Sequence, residues 1–146
     1  MDSIANWLDR LEIQEVLVRY AHALDTRQHQ LFDQVFLEEA DIDYSAAGGV
    51  RGNLRTWQEW IHPVMASRFD SWQHLVSNFV IDVDGDSATA LSRCYNPLQG
   101  RRDDGSHFVL HTGASYQDRL VRTLAGWRIS QRILGVDWMD DAHMPR

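Results

Sequence analysis

Apolar residues recur every three or four positions in the first third of the chain and every two positions through its second half, so the pattern itself divides the sequence into a helical part and a sheet part. Ile13, Leu17, Tyr20 and Leu24, widened by Val16 and Ala21, form a stripe that predicts a helix from about Ser3 to Leu24. Asp9 followed by Glu12 resembles a capping box and predicts a restart of that helix after a short first turn. A second short helix is expected over Gln28 to Phe36, on Leu31, Phe32, Val35 and Phe36. Asp41 to Ser45 alternates like a strand, Ala46 to Gly49 turns, and Val50-Arg51-Gly52 continues as another short strand. Asn53 is placed to cap a third helix through Trp57, Trp60, Ile61, Val64 and Met65, which Pro63 either kinks or ends.

From Asp70 the period becomes two. Two apolar-rich runs, from Trp72 to Tyr95, flank Asp84-Gly85, and Asp-Gly between such runs predicts a tight hairpin because both central residues need positive φ. On its first arm Trp72, His74, Val76 and Asn78 share one face, opposite Gln73, Leu75, Ser77 and Phe79. Asn96-Pro97 to Gly105 reads as a loop or twisted hairpin tip. His107 to Val121 and Trp127 to Trp138 follow as long strands joined near Ala125-Gly126. Helices first and four antiparallel strands after them define an α+β domain, with the helices packed against one face of a curved, mainly antiparallel sheet.

The 146 residues suffice for one domain with a real core, so residues 1–146 are expected to form a single unit. A formal charge of -7 argues against a nucleic-acid surface, which needs clustered cations. All 14 basic residues are Arg; without Lys there is neither Schiff-base chemistry nor the lysine of a phosphate-binding P-loop. One cysteine, Cys94, allows no internal disulfide. Neither a signal peptide nor a membrane span is readable, so the expected setting is the cytoplasm, away from membranes.

His74 is the first candidate for chemistry, because imidazole is the side chain that gains and loses protons near neutrality. Read alone, such a histidine is more often a satisfied core or surface side chain than a catalyst. Asp25, at a helix C-terminus, sits at the unfavourable end of the macrodipole, yet read alone it is a turn residue. Tyr44, Tyr95 and Arg93, then Tyr20 and His111, are candidate donors to a developing oxyanion. Arg93 faces inward or outward depending on whether its strand is bulged. Trp60, on the same stripe as Trp57, reads as core or pocket wall. No metal or organic cofactor is expected: His107 and His111, four apart on a strand, are separated by about 13 Å, too far to share an ion.

Several short stretches together resemble the SnoaL-like, nuclear-transport-factor-2-like α+β cone family. They are Ile13-Gln-Glu-Val-Leu-Val-Arg-Tyr20, Leu24-Asp25, Ala40-Asp-Ile-Asp-Tyr44, His74-Leu-Val-Ser-Asn78, Asp84-Gly-Asp-Ser-Ala88, Gly113-Ala-Ser-Tyr116 and Gly126-Trp-Arg-Ile129. Within that family the chain is most similar to scytalone dehydratase-like lyases. The resemblance implies a histidine on a strand oriented by an aspartate from the first helix, here His74 and Asp25, with Tyr44 holding a water in the pocket. It departs where the family has a tyrosine before that aspartate, here Leu24, where a second histidine is expected near Tyr95 and Asn96, and at His111-Thr112 in place of a Ser and Asn pair. The implied function is a cofactor-independent lyase, a dehydratase-like carbon-oxygen lyase, or an isomerase acting on a small, largely apolar ring compound. The alternatives are a small-molecule-binding module and a structural subunit similar to the small subunit of ring-hydroxylating dioxygenases. Tyr20, Trp60, Arg93, Tyr95 and His111 are the expected substrate contacts. A homodimer or homotrimer is expected, since the resemblance and the large sheet face point the same way.

Overall fold

Ser3 opens the first helix by accepting from the Asn6 amide at 3.2 Å, and the helix runs unbroken as α1, Ile4–Asp25. The structure, a computed structural model, describes residues 2–142. The restart expected at Asp9 does not occur. The Asp9 carboxylate instead accepts from Arg122 at 2.7 and 2.8 Å and from the Trp127 indole N–H at 3.1 Å, stronger partners than a helix amide. α1 stops because Arg27 adopts a left-handed conformation, φ 58°, which lets the Gln28 amide turn back to the Ala23 carbonyl at 2.9 Å.

The segment read as a second α-helix is a 3₁₀ helix, His29–Gln34, and Phe36 already belongs to β1, Phe36–Asp43. Its apolar residues satisfy either period, and pairing with a distant strand decides: the Ile129 amide donates to the Val35 carbonyl at 2.8 Å. A second 3₁₀ turn, Ser45–Ala47, leads to β2, Arg51–Gly52. Asn53 caps α2, Leu54–Arg68, accepting from the Thr56 amide at 2.9 Å, and the helix continues through Pro63 for one more turn.

The sheet part is longer and more continuous than its pattern predicts. β3, Ser71–Trp72, and β4, Leu75–Asp84, lead into β5, Ser87–Arg101, which absorbs the expected Asn96–Gly105 loop up to Arg101. Pro97 stands opposite His111 on β6 and accepts from the Gln73 amide at 3.2 Å, while the Gln73 carbonyl, which the missing N–H would have met, takes the Asn96 side-chain amide at 2.6 Å. β6, His107–Thr123, and β7, Gly126–Asp140, complete a seven-stranded curved sheet. Its order is β2-β1-β7-β6-β5-β3, with β4 also on β5; all pairings are antiparallel except β1 with β7.

Three bulges set which face the segments of β4 and β7 show. Asn78, at φ 56°, bulges β4 so that Val76 and Phe79 both turn toward the helices, and Asn78, expected inward, is exposed. On β7 an extra residue at Ser130 shifts the phase from Trp127 and Ile129 to Arg132 and Leu134, and another at Asp137 leaves Trp138 on the outer face. The core lies between α1, α2 and the concave face, built on Tyr20, Phe32, Phe36, Trp57, Leu120, Trp127 and Ile129, each contributing about 1.5–3 kcal/mol by leaving water.

Candidate functional site

The end of α1 and the start of β4 are tied together by three hydrogen bonds. The Trp72 indole N–H donates to the Leu24 carbonyl at 3.0 Å, the His74 amide to Asp25 Oδ2 at 2.8 Å, and His74 Nδ1 stands 2.6 Å from Asp25 Oδ1. From the other side the Asn96 amide group donates to the Gln73 carbonyl at 2.6 Å, which holds the short link between β3 and β4 in place. The His74 side chain is only 6% exposed and meets the Tyr20 ring edge-on at 6.1 Å. Asp25 therefore fixes both the position and the orientation of the imidazole, and leaves Nε2 as the ring nitrogen it does not engage.

Beyond His74 lies a buried cluster of oxygen and nitrogen groups. The Tyr20 and Tyr44 hydroxyls are 2.6 Å apart. Arg132, fully buried, makes a bidentate pair with the equally buried Asp118 at 2.7 and 2.8 Å, and its guanidinium lies 4.3 Å from the Tyr20 ring centre and 4.1 Å from that of Tyr116. Arg132 Nη1 is buried without a hydrogen-bond partner, as are Ser92 Oγ and Thr112 Oγ1. Burial pushes the Tyr20, Tyr44 and Tyr116 phenols above their ordinary range, so all three stay protonated at neutral pH. Burial pulls Arg132 the other way, but the charge and hydrogen bonds of Asp118 together outweigh it and keep the guanidinium charged. The arrangement thus offers one oriented imidazole, a pair of neutral hydroxyls and an internally balanced cation, all on the concave side.

Trp60 joins this region, with its ring 6.1 Å from Tyr44 and resting on Gly49, where a Cβ would come within 2.5 Å of the indole. Arg93, Tyr95 and His111 do not. β5 keeps its register unbroken past these residues, so Cys94 points inward and Arg93 and Tyr95 point outward. The expectation that they line the substrate space is corrected accordingly. Arg93 pairs with Asp137 at 3.0 Å, and Tyr95 bonds His111 Nδ1 at 2.6 Å and stacks beside Trp138, on the convex side. Cys94 is buried and burial raises its thiol to about 11.

Asp118 and Arg132 escaped sequence reasoning. Asp118 was findable, being in phase with Ala114, Tyr116 and Leu120. Arg132 was not, because strict alternation from Trp127 and Ile129 sends it outward and only the bulge at Ser130 turns it in.

Residues 5–133 match the model of the SnoaL-like domain. An uncharacterized protein of Mycobacterium tuberculosis is 41% identical over 133 residues, 91% of this chain and 88% of that one. Among solved structures, a protein of Kribbella flavida superposes with a TM-score of 0.83 at 25% identity, over 94% of this chain and 97% of that one. A scytalone dehydratase candidate from Novosphingobium aromaticivorans gives 0.79 at 19% identity, over 96% and 91%. A hexachlorocyclohexane dehydrochlorinase from Novosphingobium barchaimii gives 0.73 at 17%, over 91% and 92%. With most of its length matched by the family model and by a relative of this identity, the chain belongs to the SnoaL-like family, within the nuclear-transport-factor-2-like fold.

Proposed function

We propose that this protein is a cofactor-independent lyase that eliminates water, or a comparable leaving group, from a small, largely apolar ring compound. The observation that carries the reading is the double grip of Asp25 on His74, 2.6 Å to the ring and 2.8 Å to the amide, beside a buried hydroxyl pair. Neutral His74 takes a proton from a carbon next to an activating carbonyl through Nε2, and the C–H electron pair becomes the new double bond. The hydroxide leaves from the neighbouring carbon and is released as water with the proton the imidazolium returns. Asp25 stabilises that imidazolium. Tyr44, coupled to Tyr20 and close to the Arg132 charge, stabilises negative charge on the carbonyl oxygen, a contribution that grows in a dry interior. A shift of the double bond instead of departure of a leaving group would make the same dyad an isomerase.

The experiment is a screen of hydroxylated and halogenated ring compounds for thermal stabilisation, followed by absorbance assays of elimination with wild type and His74→Gln. Retained ligand stabilisation with lost turnover in His74→Gln supports the lyase. Full turnover in that variant overturns it, and stabilising ligands that wild type leaves unchanged would make the protein a binding module. We further propose a homodimer or homotrimer formed over the convex face, where Leu91, Tyr95 and Trp138 are each at least 40% exposed. Light scattering at micromolar concentration tests it. Among the described residues no helix is long and apolar enough to cross a membrane.

A further inference from the structure

His29 and His62 lie ring on ring, with centroids 3.4 Å apart and planes within 7° of parallel. One belongs to the 3₁₀ helix that follows α1, the other to α2, and the stack is joined by the Gln58 side chain donating to the His29 carbonyl at 3.3 Å and by Phe32 packed edge-on against Trp57 at 5.0 Å. Trp57 in turn touches Tyr20 and Tyr44, so this contact closes α2 over one end of the candidate site. His62 Nε2 is buried without a partner. Pro63, the next residue, has no N–H to return to the Glu59 carbonyl, which weakens α2 at that turn.

We propose that the His29–His62 stack is an acid-released latch: with both rings neutral it holds α2 down on the 3₁₀ helix, and a proton on the pair frees α2 at that point. A protonated His62 would carry a charge with one N–H buried and unanswered, face to face with a second imidazole. The charges bearing on the stack are unfavourable to protonation. Arg27, before the 3₁₀ helix, acts on His29, and His29 acts against a proton on His62. The Glu59 carboxylate of α2 does not compensate, since it is held by Arg55 on the exposed side of the helix. Burial, followed by His29, lowers His62 to about 4. The open form binds a proton near pH 6.5 and the closed form only near 4, so closure is fully favoured above about 6.5 and lost as pH falls toward 4. The latch stands independently of the proposed lyase chemistry, because its readout is structural.

Hydrogen exchange of the whole protein at pH 7.5 and 5.0, corrected for the intrinsic rate, tests it. Amides of α2 from Trp57 to Arg68 should lose roughly thirtyfold more protection at pH 5.0 than those of β5 and β6, an estimate from the linkage above. His62→Phe, which keeps a flat ring and cannot take a proton, should abolish the difference, and His29→Phe, which leaves the buried His62, should reduce it. Uniform loss of protection across the domain, no loss in α2, or an unchanged pH response in His62→Phe would overturn the latch. Should neither variant fold, titration of the wild-type imidazole resonances decides: His62 titrating near 6.5 with α2 still protected overturns it, and a depressed midpoint accompanied by loss of α2 protection supports it.

Discussion

The Asp25 carboxylate reaches the His74 ring and the His74 backbone at once, one oxygen 2.6 Å from Nδ1 and the other 2.8 Å from the amide nitrogen. A carboxylate at the C-terminal end of a helix opposes the macrodipole by about 0.3–1 kcal/mol, and two hydrogen bonds of this kind offset that cost. The same contact makes the ring's orientation a property of the fold.

For a dyad acting as a unit, the effects of mutation do not add. His74→Gln is expected to lower turnover of a discovered substrate by about 10² to 10⁴, Asp25→Asn by most of the same factor, and the double variant by little more than either. Steady-state kinetics of the three, with circular dichroism to show intact folding, check this. Independent, multiplicative losses would count against coupling.

The buried pair of Arg132 and Asp118 should be costly to break and much cheaper to remove whole. Asp118→Ala leaves a guanidinium stranded between Tyr20 and Tyr116 and is expected to cost about 3–5 kcal/mol. Replacing both, Asp118→Leu with Arg132→Met, should cost clearly less than the single change. Urea denaturation of the three proteins reads the difference.

Cys94 should be inert while the protein is folded. Its thiol is buried and raised to about 11, so at pH 7.5 the reactive thiolate is a fraction on the order of one in a thousand. Alkylation with iodoacetamide, followed by mass spectrometry, should label it only after denaturant is added; rapid labelling in native buffer would contradict the inward placement of β5.

Asn78 carries the bulge of β4 in a left-handed conformation that Asn and Gly tolerate and β-branched residues do not. Asn78→Gly should change stability by less than about 1 kcal/mol, whereas Asn78→Val should cost about 1–3 kcal/mol and disturb the inward turn of Phe79. Thermal or chemical unfolding tests the ranking, and equal effects would remove the bulge as its cause.

Much of this architecture was legible in the chain before any coordinate. The stripe through Ile13, Leu17, Tyr20 and Leu24 marks α1, Asn53 marks the start of α2, and Asp84-Gly85 marks the β4–β5 turn, because each signal is local: a periodicity, a cap, a turn glycine; the turn itself is centred on Gly85 and Asp86, and only Gly85 takes positive φ, 61°. Asp25 and His74 could be paired only through the family resemblance, since 49 positions separate them and nothing in either neighbourhood points to the other.

What tertiary structure alone decided is the facing of side chains after a break in period. A strand alternates strictly only until a residue is inserted, and one extra residue sends every later side chain to the opposite face. The insertion at Ser130 put Arg132 in the core, the one at Asp137 put Trp138 outside, and the one at Asn78 exchanged Asn78 for Phe79. The unbroken register of β5 sent Arg93 and Tyr95 outward with equal consequence. The amino-acid sequence determined which residues alternate; the pairing of each strand with its neighbours determined where the alternation restarts, because a bulge is stable only when the partner strand and the packed helices accept the new phase.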